Sequence, residues 1–190
     1  MRRIIMGIMA ALIVLPALAF ADSGYALQFD GIDDYVNIPG NAVYEFGTGD
    51  FTFEAWLKCY QIQGDARVIL ANQIVDDFQL AIGIPSGWGV IQFYGEGSLL
   101  IQTDSLSWNL YQWYHLALTR TNDTLSIFIN GVEFGSTFFN GYCGNQTDLN
   151  FGFRKSNSSH PFDGEIDEVR IWNIARTQEE IQSTVLPQLK

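Results

Sequence analysis

Cysteine, histidine and positive charge are what this 190-residue chain has least of. Two cysteines and two histidines, Cys59, Cys143, His115 and His160, share no ligand spacing, which excludes a zinc site built in the usual way. Ten basic residues stand against twenty-one acids, for a formal charge of −11. That balance excludes nucleic acid and anionic lipid as partners, since both are polyanions. Metal cations and neutral sugars remain compatible with it, as does plain solubility outside the cell. Long apolar runs are missing as well. The single extended one, Ile4 to Phe20, is interrupted by Gly7 and Pro16, and it falls short of the roughly 20 residues a membrane span requires.

That run does have a purpose. Met1-Arg2-Arg3, the apolar stretch and Ala19-Phe20-Ala21 before Asp22 form the charged, apolar and small-residue regions of a secretory signal peptide. We therefore expect residues 1–21 to be removed and residues 22–190 to be secreted as one domain, extracellular or, in a Gram-negative cell, periplasmic. No membrane insertion of the mature chain is expected. The loss of Arg2 and Arg3 with no acid takes the charge from −11 to −13. In an oxidising compartment an even cysteine count favours a Cys59–Cys143 disulfide. Asn122, Asn145 and Asn157 head Asn-x-Ser/Thr sequons, which bear on surface loops only in a eukaryotic host.

Along the chain, short alternating segments follow one another at close spacing. Phe51, Phe53, Ala55 and Leu57 share one face of the clearest strand, and Thr52, Glu54, Trp56 and Lys58 the other. Asn130-Gly131 between two such segments is the strongest hairpin signal, because a type I′ turn needs positive φ at both central residues. One helix is convincing: Thr177 and Glu180 form a capping box, Ile181 and Val185 sit four apart, and Pro187 marks the stop. About a dozen strands with one short C-terminal helix indicate an all-β fold. Its architecture is a two-sheet antiparallel jelly-roll sandwich. Fourteen Phe suit its half-buried strands.

The residues then carry a resemblance. Leu27-Gln28-Phe29-Asp30-Gly31 with Asp34-Tyr35-Val36, then Phe51 to Trp56, then Trp113 to Ala117 with Leu125 to Gly131, and finally Phe162 to Asn173 with the helix, resemble the signature segments of concanavalin A-like, laminin-G-like domains, pentraxins among them. The resemblance runs from about Leu27 to Gln182. It implies a jelly-roll sandwich that binds sugars or proteins, often with calcium. It does not imply one ligand, since the fold hosts lectins, adhesive modules and hydrolases.

Three chemistries are weighed against it. Glu165-Ile166-Asp167-Glu168 is similar to the Glu-x-Asp-x-Glu motif of retaining β-glucanases on this fold. Their mechanism requires two carboxylates about 5–5.5 Å apart on one strand face. Uniform alternation puts Glu165, Asp167, Val169 and Ile171 together, so a valine stands at the third acid position and Glu168 points away. A glycoside hydrolase is therefore the weaker reading. For calcium, the resemblance implies a site between first and last strands, with Asp30 and Asp167 as ligands and Asp33 or Asp34 as further ones. The other reading has Asp30 and Asp34 cap a turn and Asp167 pair with a base. For a glycan, Trp88 between glycines, with Tyr94, Asp76 and Asp77 on its rim, is the aromatic platform. The alternative for Trp88 is edge packing, and Trp56, Trp113 and Trp172 are assigned to the core. Glu54 and Arg170, set among apolar neighbours, are expected to pair, with Glu168 as the competing partner of Arg170. The reading is a calcium-assisted glycan-binding module without catalytic machinery. The alternative is a structural or adhesive domain whose partner is an extracellular protein.

Overall fold

The computed structural model describes residues 25–62, 67–72, 78–83, 89–95, 98–104, 108–144, 148–153 and 160–185, and every structural statement concerns these. The expected signal peptide, Trp88, Asp76, Asp77, Asn145 and Asn157 lie outside them. The strands are β1 (Leu27–Asp30), β2 (Val36–Ile38), β3 (Phe51–Cys59), β4 (Arg67–Asn72), β5 (Phe78–Gly83), β6 (Val90–Gly95), β7 (Ser98–Gln102), β8 (Trp113–Thr121), β9 (Thr124–Ile129), β10 (Val132–Phe138), β11 (Leu149–Phe151) and β12 (Asp163–Trp172). The helix α1 spans Gln178–Val185.

Two antiparallel six-stranded sheets result. The first runs β1-β12-β3-β8-β9-β10 and the second β2-β11-β4-β5-β6-β7. Alternation on β3 buries Phe51, Phe53, Ala55, Leu57 and Cys59 between the sheets, where Leu116, Leu118, Leu125 and Ile127 join them. The second sheet answers with Ile69, Ile91, Phe93, Ile101, Leu149 and Phe151. Phe53 stacks across the gap on Phe151 at 6.3 Å. Each such side chain, buried whole, contributes about 2 kcal/mol of transfer free energy.

Local signals act as their chemistry dictates. Asn130 and Gly131 both have positive φ, 50° and 74°, and close the β9–β10 hairpin. Glu180 N donates to Thr177 Oγ1 at 3.3 Å and Thr177 N to Glu180 Oε2 at 2.8 Å, which completes the capping box of α1. The helix then lays Ile181 on Ala117 and Phe128, on the outer face of the first sheet.

The closing strand departs from uniform alternation. Its register with β3 slips between Asp167 and Arg170, and Glu168 has φ 51°. Asp167 Oδ1 accepts from Glu168 N at 2.7 Å and steadies this bulge. Ahead of it Ile166 enters the core, and after it Val169 and Ile171 pack there. Glu165 and Asp167 therefore face outward while Val169 and Ile171 face inward, which corrects the single-face assignment of all four.

The two cysteines are not joined to one another. Cys143 bridges Gly47 and lines a small apolar cavity with Phe51 and Phe53, at the start of β3. Cys59 ends that strand, about 20 Å from Phe53 at roughly 3.3 Å per residue. A disulfide needs Cα atoms closer than about 7 Å, so the expected pairing is corrected.

Candidate ligand-binding face of the first sheet

Register places a row of polar and aromatic residues straight across four strands. Gln28 stands opposite Glu165, Glu165 opposite Lys58, and Lys58 opposite Trp113. All four belong to the outward face, because their sequence neighbours Phe29, Ile166 and Leu57 fill the core. At the same end of the sheet Asp30 stands opposite Asp163. Lys58 Nζ lies 2.7 Å from Glu165 Oε2, and the Tyr60 hydroxyl donates to Glu165 Oε1. Burial acts to raise the Glu165 carboxyl, but the hydrogen bonds from Lys58 and Tyr60, with the Lys58 charge, outweigh it and leave the pKa lowered. The same bond, with burial and the neighbouring charges of Glu165, Tyr111 and Asp163, pushes Tyr60 up to about 12.

The acidic turn after β1 brings three predicted residues together. Asp30, Asp33 and Asp34 each offer a carboxylate oxygen, and these oxygens lie within 4.8 Å of one another. Asp30 Oδ1 also accepts from Ile32 N at 2.8 Å, and Asp34 Oδ2 from Asp30 N at 3.1 Å. The acids therefore shape the turn and still leave oxygens over, a hard-donor set that fits calcium. Asp167 is not among them. It stands opposite Trp56, four residues and roughly 13 Å along β12 from the start of that strand. The closing-strand acid beside the turn is Asp163 instead: a Cβ added at Gly31 (φ 74°) would sit 2.9 Å from the Asp163 Cβ.

Glu54 and Arg170 are register partners across β3 and β12, yet their side chains go elsewhere. Arg170 pairs with Glu168, the competing acid, because the bulge brings the two together. Glu54, fully buried, receives Arg176 Nη1 at 2.5 Å, with His115 Nε2 at 3.2 Å. Arg176 also donates to Thr184 Oγ1 and to the Glu180 carbonyl, so the pair fastens α1 to the sheet.

Tyr94 belongs to the second sheet, half-buried, its hydroxyl 3.4 Å from Gln92 Oε1. Of the tryptophans assigned to the core, Trp56 is buried but lies outside the main cluster, edge-on to His115. Trp113 and Trp172 are half-exposed on the outer face. The Asn122 sequon sits exposed in the β8–β9 turn, where Asn122 and Asp123 have φ 47° and 61°.

Sequence reasoning missed Tyr60, Tyr111, Arg176 and Arg120. Tyr111 had a usable signal, an aromatic in the polar loop before β8. Arg120 had none, since nothing in its strand announces that it is buried and gathers the carbonyls of Gly47, Thr48 and Gly141.

A family model for laminin-G-type domains, described as the concanavalin A-like lectin/glucanases superfamily, matches residues 30–182. No curated protein sequence matches the chain. Among solved structures, domain 4 of AbnA, a GH43 extracellular arabinanase from Geobacillus stearothermophilus held in complex with arabinotriose, is similar at TM-score 0.65 and 22% identity, over 84% of this chain and 76% of that one. The native heptameric SAP-like pentraxin from Limulus polyphemus is similar at TM-score 0.67 and 13% identity, over 83% and 80%. The receptor binding domain of botulinum neurotoxin D follows at TM-score 0.64 and 16% identity, over 85% and 43%. At these identities the likeness is one of fold.

Proposed function

The chain belongs to the concanavalin A-like lectin/glucanases superfamily, and on that premise we propose that it is a secreted, non-catalytic module that binds a glycan with the help of calcium. The observation that carries this reading is the acidic turn, three carboxylates within 4.8 Å at one end of the outward face of the first sheet. Calcium takes six to eight oxygens, so Asp30, Asp33 and Asp34 would supply three, with carbonyls or water completing the set. The bound ion would fix the turn and offer open positions to sugar hydroxyls. The arabinotriose held by domain 4 of AbnA supports a saccharide as the ligand class. The absence of catalysis is supported by Val169, which stands at the last acid position of the Glu-x-Asp-x-Glu pattern and packs on the core.

A glycan array probed in calcium and again in EDTA tests ligand class and metal together, with thermal melting as the second readout. Calcium well above its Kd should raise the melting temperature by about 5 °C or more. Asp33→Asn should abolish that rise. Asp33 is the variant of choice, because Asp30 and Asp34 also hold the turn's own hydrogen bonds. Melting that ignores both calcium and EDTA removes the metal from the proposal, and an array silent in both buffers removes the glycan.

A further inference from the structure

We propose that the open face of Tyr111, backed by Tyr60 and flanked by Trp113 and the Lys58–Glu165 pair, is a stacking site for an uncharged saccharide on the outward face of the first sheet. The proposal rests on the glycan-binding reading and names where and what the module binds.

Tyr111 is the first reason. It is 68% exposed, two residues before β8, with φ 64°, a backbone region bulky side chains avoid. Its amide donates to the Cys59 carbonyl at 2.8 Å, which fixes that conformation to the end of β3. Its ring stacks on Tyr60 at 5.0 Å between centroids, with planes 28° apart. A ring held so far into solvent contributes little to the fold, and Tyr60 covers only one of its faces. The other faces water, ready-made for the C–H face of a sugar ring.

The polar groups beside it complete the pattern. Lys58 Nζ stands 4.9 Å from the Trp113 ring centroid and 5.9 Å from that of Tyr60. Its ammonium and the Glu165 carboxylate form a donor–acceptor fork at the foot of the aromatics, each side chain about a fifth exposed. Sugar hydroxyls both donate and accept, so such a fork suits them. The ligand class follows from charge. Lys58 already lies against two of the ring faces and repels a cationic ligand from them. Asp30, Asp33, Asp34 and Asp163 gather at the same end of the sheet, and with Glu165 they outnumber the one lysine. Even with one calcium on the acidic turn these acids outweigh the positive charge, so uronates, sulfated glycans and sialosides would be repelled and a neutral saccharide would not.

Affinity electrophoresis through gels carrying arabinan, xylan, β-glucan or polygalacturonate tests this on the full mature chain. The wild type should be retarded by at least one neutral polysaccharide and run freely through polygalacturonate. Tyr111→Ala should lose at least tenfold in affinity with its melting temperature unchanged, since the ring is mostly in solvent. Phe138→Ala, an equally exposed aromatic on β10, should bind as the wild type does. Undiminished binding by Tyr111→Ala overturns the site and leaves the glycan reading standing. Retardation by polygalacturonate overturns the ligand class. A wild type that no polysaccharide retards overturns the glycan reading itself, and this proposal with it.

Discussion

Glu165 shows how the charge state of one carboxylate is set by its neighbours. Both oxygens are engaged, one by Lys58 and one by Tyr60, and the folded-state pKa is lowered. The unfolded chain then binds the Glu165 proton more tightly than the native one does. The pair's stabilisation is complete above the ordinary glutamate value of about 4.3. It is lost as pH falls through that value toward the lowered folded one. For a pair this exposed, Glu165→Gln should cost about 1 kcal/mol at pH 7. That difference from wild type should shrink as pH falls below the ordinary glutamate value, and vanish once the native carboxyl is protonated as well. Urea melts of both proteins across that range check it; a difference independent of pH would show that Glu165 acts through shape and not charge. Arg120 makes the complementary point. Fully buried, it donates to three loop carbonyls and lies over Phe139 at 5.5 Å, organising the loop ends beneath the hairpin.

At the scale of the element, the docking of α1 depends on one buried pair. An eight-residue helix is too short to hold itself in water. What keeps it is Ile181 on Ala117 and Phe128, Gln178 and Gln182 on the Gly131 carbonyl at 3.0 Å, and Arg176 on Glu54. Removing one member of a buried pair costs about 3–5 kcal/mol because the other is left uncompensated. Glu54→Gln and Arg176→Met should each destabilise on that scale, and the double variant by at least about 1 kcal/mol less than their sum. Glu54→Gln with Arg170→Met should couple less than Glu54→Gln with Arg176→Met, since these register partners share no side-chain bond. The reverse pattern would restore the cross-strand pair that register alone favours. The same region marks how far the sequence could be read. Strand positions, the Asn130-Gly131 turn and the capping box were legible, because each depends on residues within a few positions of one another. The Glu168 bulge was not, since a period-2 pattern carries no mark of a residue left unopposed. With it went the choice between the two candidate acids for Arg170, the partner of Glu54 and the place of Asp167. The platform of Tyr60, Tyr111 and Trp113 was hidden for a related reason. It is assembled from a strand end, a loop and a neighbouring strand, and only β3–β8 pairing brings them together.

For the whole molecule, the disposition of the thiols decides what kind of stability the sandwich has. An even cysteine count behind an expected signal peptide favours a cross-link, yet Cys59 and Cys143 stand at opposite ends of the longest axis of β3, in one continuous apolar core. The fold therefore rests on that core, Phe53, Phe93, Phe151 and Leu118 among its members, and not on a covalent staple. Burial, with a smaller push from Asp163, raises the Cys59 thiol to about 12, so almost no thiolate exists at neutral pH to attack a reagent. Three outcomes follow from one physical cause. Reductant should leave the melting temperature unchanged, where loss of a structural disulfide costs typically 2–5 kcal/mol. Two thiols should be counted in the denatured, unreduced protein. In native protein, alkylation of Cys59 should proceed only at the rate of opening of the core, and denaturant below the unfolding midpoint should accelerate it in step with the unfolded population. Thermal melting reads the first of these, and mass spectrometry of the alkylated chain the other two. A drop in melting temperature on reduction, with a mass two units below the dithiol form, would mean that the two ends of the sandwich meet in a state that this arrangement of strands forbids.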